Sequence, residues 1–155
     1  MPDLYAFDLS SCTGWARFVD GHVTSGVRRL AGTRAVRARV LRNWRTEFIP
    51  AGTIAGGVVA YEKPHFRGYA ATLSACALVV ALEERAETLG LQVIAVHTAT
   101  LKKHATGSGR ATKEGMIAAA RNRWPRFDPE TDDEADARHV LAWAADQAKV
   151  VLPCE

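Results

Sequence analysis

Apolar and polar positions alternate through Leu4–Ser10 (LYAFDLS), the two-residue period of a half-buried strand. Thr13–Asp20 (TGWARFVD) predicts a second strand and His22–Arg29 a third, separated by Asp20-Gly21. That dipeptide suits a type I′ hairpin turn, in which both central residues need positive φ. The result is an antiparallel meander with Asp8 near the end of its first strand, and so near a rim of the sheet. From Thr33 to Phe48 the period lengthens: Val36, Val40, Trp44 and Phe48 recur every four residues, predicting a helix with that stripe inward and Arg34, Arg42 and Arg45 turned away. Pro50 and Gly52 end it. Val58–Tyr61 is a further apolar strand that runs straight into Glu62.

Residues 68–89 (GYAATLSACALVVALEERAETL) predict one long helix, apolar or small on nearly all sides through its first three turns. Such a helix suits burial against the sheet on one side and against a second copy of itself on the other. Gly90 stops it, and Leu91–Val96 predicts another strand. Strand, helix, strand at this spacing implies a right-handed parallel crossover. Thr98 or Thr100 is positioned to cap a short helix through His104, and Thr112–Trp124 predicts a second one with Met116, Ile117 and Ala120 inward. After Pro125 and Pro129, Glu130–Ala145 (ETDDEADARHVLAWAA) predicts a final amphipathic helix. The class is α/β: a mixed five-stranded sheet, antiparallel meander first and parallel strands after, flanked by helices.

A chain of 155 residues is expected to form one domain, with a proper core and no second lobe. Its 48% hydrophobic and 24% charged residues are ordinary globular composition. The net charge of +3 permits a polyanionic partner without requiring one. The basic residues are unevenly spread, with seven arginines and no acid between Arg28 and Arg45. No secretory signal is apparent at the start, and the longest uncharged run, Gly68–Leu82, falls short of the roughly 18 residues of a membrane span. Cys12, Cys76 and Cys154 are an odd number without CxxC spacing, which argues for a reducing compartment, the cytosol, and against zinc.

The candidate chemistry is carboxylate chemistry. Asp133 and Asp136 lie three apart at the start of the last helix and should share a face, where they repel unless a divalent cation sits between them or one keeps a proton. Thr131 followed by Glu134 fits a capping box, so Glu134 is read as a cap. Glu62, directly after a buried strand, is poorly explained by packing, because unpaired carboxylates are rarely buried. For Asp8 the local segment leaves open a simple turn cap ahead of Ser10, Ser11 and Gly14. The TGSGR loop, with Gly107 and Gly109 bracketed by Lys102, Lys103, Arg110 and Lys113, reads as a phosphate contact, although it lacks P-loop spacing.

The order D…E…DxxD on a meander-first α/β chain resembles the RuvC family of Holliday junction resolvases, which have the RNase H-like fold. The resemblance runs from YAFDLSSCTGWA through VVAYEKPHFRG to LKKHATGSGRATKEGM and DDEADA, and the last two pieces look like short bacteriophage RuvC-like proteins. It implies that Asp8, Glu62, Asp133 and Asp136 bind two Mg²⁺ ions, with Mn²⁺ able to substitute. Two such ions activate an attacking water and stabilise the leaving oxygen of a phosphodiester. It further implies that Lys113 neutralises the scissile phosphate and that Lys102, Lys103 and Arg110 hold the DNA backbone. Phe66 matches the aromatic that wedges into the junction centre, with Tyr69 a rival. Asp132, at i, i+4 from Asp136, competes with Asp133 as a ligand, and His139 stands one turn beyond; Asp133 is preferred and His139 left out. The expected protein is a homodimer that makes paired nicks in four-way DNA junctions in a bacterial or phage-infected cytosol. The chain departs from the bacterial enzymes in LSS after Asp8 and KPHF after Glu62, which leaves sequence preference and wedge identity open. Competing readings are a non-catalytic RNase H-like DNA-binding module and an actin- or sugar-kinase-like phosphotransferase, suggested by DLSSCTG.

Overall fold

The computed structural model describes residues 1–53, 56–66 and 68–154. Strands β1 (Leu4–Asp8), β2 (Cys12–Val19) and β3 (His22–Arg29) are followed by helix α1 (Arg34–Phe48) and strand β4 (Val58–Glu62). Then come α2 (Tyr69–Leu89), β5 (Gln92–Val96), α3 (Thr98–Thr106), α4 (Lys113–Arg123) and α5 (Asp132–Ala148). The five strands form one sheet in the order β3-β2-β1-β4-β5. β1 is antiparallel to β2 and parallel to β4, and β4 is parallel to β5, so the mixed α/β architecture is the one the hydrophobic pattern predicts.

The hairpin turn has φ of 51° at Asp20 and 83° at Gly21, as a type I′ geometry demands. Gly90 closes α2 in the left-handed conformation, φ 65°, its amide N–H reaching back to the carbonyls of Ala86 and Glu87. In α1 the inner line differs from the four-residue stripe read in the sequence. Ala38, Leu41 and Phe48 are buried, while Val36, Val40 and Trp44 flank them half-buried. A strict four-residue repeat drifts around a helix of 3.6 residues per turn, so the stripe slides off the contact face. Arg42 and Arg45 leave that face and bond Glu84 of α2 at 3.0 and 3.1 Å.

The sheet separates two apolar layers. On one face Leu4, Ala6, Ala16, Val58 and Ala60 pack against α5 through Val140, Leu141 and Ala144. On the other, Tyr5, Phe7, Val59 and Tyr61 meet Leu41 and Phe48 of α1 and Leu78 and Leu82 of α2. Phe7, Trp15, Trp44 and Phe48 pack edge-on or tilted, with centroids 4.8–6.4 Å apart. Each fully buried large apolar side chain contributes about 1.5–3 kcal/mol over leaving it in water. The layer that matters for the site is the one under α5.

Candidate active site

β1 and β4 lie side by side and run in the same direction, so their C-terminal residues, Asp8 and Glu62, finish at one rim. Side chains alternate along a strand, and Leu4, Ala6, Val58 and Ala60 face α5, so Asp8 and Glu62 face it too. Helix α5 begins over that rim. Thr131 caps it, accepting the Glu134 amide N–H at 3.2 Å, and its first turns deliver Asp132, Asp133 and Asp136. A glycine permits the approach: a Cβ at position 14 would stand 1.9 Å from the Asp133 carbonyl oxygen. Glycine in a strand interior is the one local signal that a backbone passes this close.

Glu134 does more than the cap read from the sequence. It is buried, and its carboxylate accepts from the Glu130 amide at 2.8 Å and from Ser25 Oγ of β3 at 2.6 Å. Arg138 Nε donates to the same Ser25 oxygen at 2.8 Å, and its guanidinium lies 3.9 Å from the Phe127 ring centroid. These contacts bolt the start of α5 to the sheet. Nothing in the sequence pairs Ser25 with a residue more than a hundred positions on.

Asp8, Glu62, Asp132, Asp133 and Asp136 line one cleft of about 800 Å³, together with Lys102 and Lys113. Among the described residues, Asp8, Asp133 and Asp136 take part in no ion pair. Burial, then repulsion from Glu62, Asp136 and Asp133, holds the Asp8 carboxyl well above its ordinary range. Burial, then repulsion from Glu62, Asp132 and Asp133, pushes Asp136 up to about 7, with Lys102 pulling the other way. Burial also raises Asp133, relieved in part by a hydrogen bond from the Cys12 thiol. Asp132 is the exception: Lys113 Nζ lies 2.5 Å from its Oδ2 and lowers its pKa. Lys113 thus reaches the acid cluster by way of Asp132.

Thr98, expected as a helix cap, is instead the first residue of α3, with His97 at the cap position. Its hydroxyl donates to Glu62 Oε1, and an ionised carboxylate is a stronger acceptor than a neutral group. With that hydrogen committed, His65 Nε2 at 2.6 Å must be the donor to Thr98 Oγ1. Lys63 Nζ donates to His97 Nε2 at 3.0 Å beside it. The chain after Glu62 is therefore fastened to the start of α3.

The remaining candidates are dispersed around this cleft. Lys103 and Arg110 are exposed on α3 and the following turn, outside the cleft lining. Gly107 is accounted for as the left-handed cap of α3, φ 84°, and Gly109 by the tight space beside it, where an added Cβ would stand 3.2 Å from the Ala99 carbonyl oxygen. Phe66 and Tyr69 are 90% and 82% exposed and share a shallow apolar hollow with Thr72 and Leu73. His139 is buried against Trp124 and donates from Nε2 to the Met116 carbonyl at 2.8 Å.

A hard divalent cation fits the donor chemistry, since five carboxylates crowd together in a partly buried place that Lys102 and Lys113 line and in which Lys113 pairs with Asp132 alone. Among the described residues no three acidic, histidine or cysteine side chains are yet gathered around a common point. The carboxylates converge on one cleft and do not close on a single position within it.

No protein-family model and no curated protein matches the chain. The fold is the RNase H-like fold expected from the sequence. Among solved structures it is similar to Thermus thermophilus RuvC, with a TM-score of 0.72 and 18% identity over 95% of each chain. It is also similar to T. thermophilus RuvC in complex with Holliday junction substrate, at 0.77 and 19% over 96% of each chain. The yeast mitochondrial Holliday junction resolvase gives 0.61 and 15%, over 94% of this chain and 79% of that one. Among the described residues no helix is long and apolar enough to cross a membrane.

Proposed function

We propose that the chain is a single-domain, metal-dependent endonuclease that resolves four-way DNA junctions by paired nicks. The observation that carries this is the meeting of Asp8 and Glu62, from neighbouring strand ends, with Asp132, Asp133 and Asp136 in one cleft. Burial and mutual repulsion keep the Asp8 and Asp136 carboxyls protonated beyond their usual range, a cost that a pair of Mg²⁺ or Mn²⁺ ions removes. Structural likeness to a RuvC bound to a Holliday junction substrate supports the choice of DNA.

In this reading Asp8, Glu62, Asp133 and Asp136 hold the metal, which supplies activation of water and stabilisation of the leaving oxygen. Thr98 fixes the Glu62 carboxylate. Lys113 turns from Asp132 to the scissile phosphate when substrate enters, and Lys102 lines the cleft to receive the adjoining backbone. Lys103 and Arg110 hold the duplex further out. Phe66 stands free to wedge between bases at the crossover, with Tyr69 beside it.

Paired cuts need two sites related by a two-fold axis, so the working form is a homodimer. The open side of α2, where Tyr69, Cys76 and Val80 are exposed, supports that. The three free cysteines suit a reducing compartment such as the cytosol.

The test is cleavage of a labelled four-way junction, a Y fork and a plain duplex, with and without Mg²⁺. Metal-dependent cuts in the junction are expected; Asp8→Asn and Glu62→Gln should bind it and leave it whole. Full cleavage by either variant would overturn the assignment.

A further inference from the structure

The sheet rim that carries the acids continues past them. Cys12 pairs with Arg29 and Gly14 with Asp8, so β3 ends at the same rim as β1, two strands away. At about 4.8 Å per strand, Val27 lies about 10 Å to one side of Asp8, and Arg29 stands two residues beyond it along β3, at the rim. On the other side, β4 and β5 lead to α3 with Lys102 and Lys103. The acid cleft therefore has basic residues on both flanks, and only the α3 flank has been given a task.

Arg28, Arg29 and Arg34 are exposed, and among the described residues none of them has an ion-pair partner, unlike Arg42 and Arg45 of α1. Arg37 lines the cleft, and its Nε is buried without a hydrogen-bond acceptor, which an isolated fold does not readily tolerate. Helix α1 also begins against its own dipole: Arg34 stands at its first position, and its first turn contains no acid. Stability of α1 would favour the opposite charge there. The arrangement makes sense if the helix N-terminus and its arginines together receive an anion.

We propose that the β3–α1 corner, made by Arg28, Arg29, Arg34 and Arg37, binds the phosphate backbone of a DNA duplex arm on the side of the acids opposite Lys102. This rests on the nuclease reading and extends it: the cut strand lies across the rim, held on both sides of the scissile phosphate. Among the described residues, four guanidiniums without an ion-pair partner stand along one strand end and one helix start, and each can take a phosphate through two parallel hydrogen bonds.

The experiment measures binding of a plain duplex and a four-way junction in chelator across a salt series, alongside junction cleavage in Mg²⁺. Replacing Arg28, Arg34 and Arg37 by Ala should weaken both complexes and reduce the slope of log affinity against log salt by about 3, one for each phosphate no longer neutralised. Lys149→Gln, which removes an exposed charge at the opposite end of α5 from the rim, should leave the slope unchanged. R34E alone, at an exposed position, gives the same direction of change if the triple variant melts early. A wild-type slope in these variants, with wild-type cleavage intact, overturns the corner as a DNA surface and leaves the nuclease standing. A wild-type protein that neither binds nor cuts DNA sinks both.

Discussion

Gly14 lies so close beneath Asp133 that a Cβ added there would come within 1.9 Å of the Asp133 carbonyl oxygen. The obstacle is backbone, which cannot swing aside, so Gly14→Ala must push the first turn of α5 off the rim. We expect a loss of about 1–3 kcal/mol from overpacking. If the chain is the nuclease proposed above, junction cleavage should fall further than stability does, because Asp133 and Asp136 move with the helix. Thermal melting and junction cleavage measured on the same preparation check this; a variant that is destabilised but cuts at the normal rate would show that the turn can shift without disturbing the acids.

Thr98 holds Glu62 through a hydrogen bond that alanine cannot make. Removing a partner of this kind typically costs about 10–100-fold in metal affinity or activity. Thr98→Ala should need more Mg²⁺ for half-maximal cleavage, and Thr98→Ser should restore most of the loss. Identical metal dependence in all three proteins would remove Thr98 from the site.

The acid cluster makes stability depend on pH in a direction opposite to that of most carboxylates. The Asp136 carboxyl titrates at about 7 in the folded chain and at about 3.9 when unfolded. Between those values the folded state binds the extra proton, so its contribution is complete below about pH 4 and is lost as pH rises through about 7. In chelator, Asp136→Asn should therefore melt higher than wild type at pH 8, by about 2–4 °C for each kcal/mol recovered. Mg²⁺ should close the gap. His139 has the other sign: burial lowers its pKa, so its contribution is present above about 6.5 and is lost as pH falls through the folded value. A melting series from pH 4 to 9 separates the two limbs, and a flat difference between wild type and Asp136→Asn would contradict the crowding of charge.

Glu134 binds Ser25 Oγ and the Glu130 amide from a buried position. Glu134→Ala strands both donors and leaves Ser25 with Arg138 alone, at a cost of about 1–3 kcal/mol. Denaturant unfolding reads it directly. Glu134→Gln keeps an acceptor oxygen and should cost less.

Much of this protein was legible in its sequence. Periodicity located the three meander strands, the long helix after Glu62 and the helix that carries DDEADA, because strand and helix periods are local properties of which face is buried. Glu62 after a buried strand and the Asp133–Asp136 pair stood out as carboxylates without a packing reason, whereas Asp8 read locally as a turn cap as readily as a ligand, and it was the resemblance in order and spacing that joined the four into one expected set. Tertiary structure decided what lies across the gaps. The register of β1 against β4 puts Asp8 and Glu62 on the α5 face, and Gly14 lets Asp133 approach. Thr98 binds Glu62 and not its own helix, while Ser25 anchors Glu134 from the far strand. Those contacts join residues 36 and 109 positions apart. A hydroxyl's choice between its own backbone and a distant carboxylate depends on which acceptor the fold brings within reach, and no local pattern in the chain encodes that.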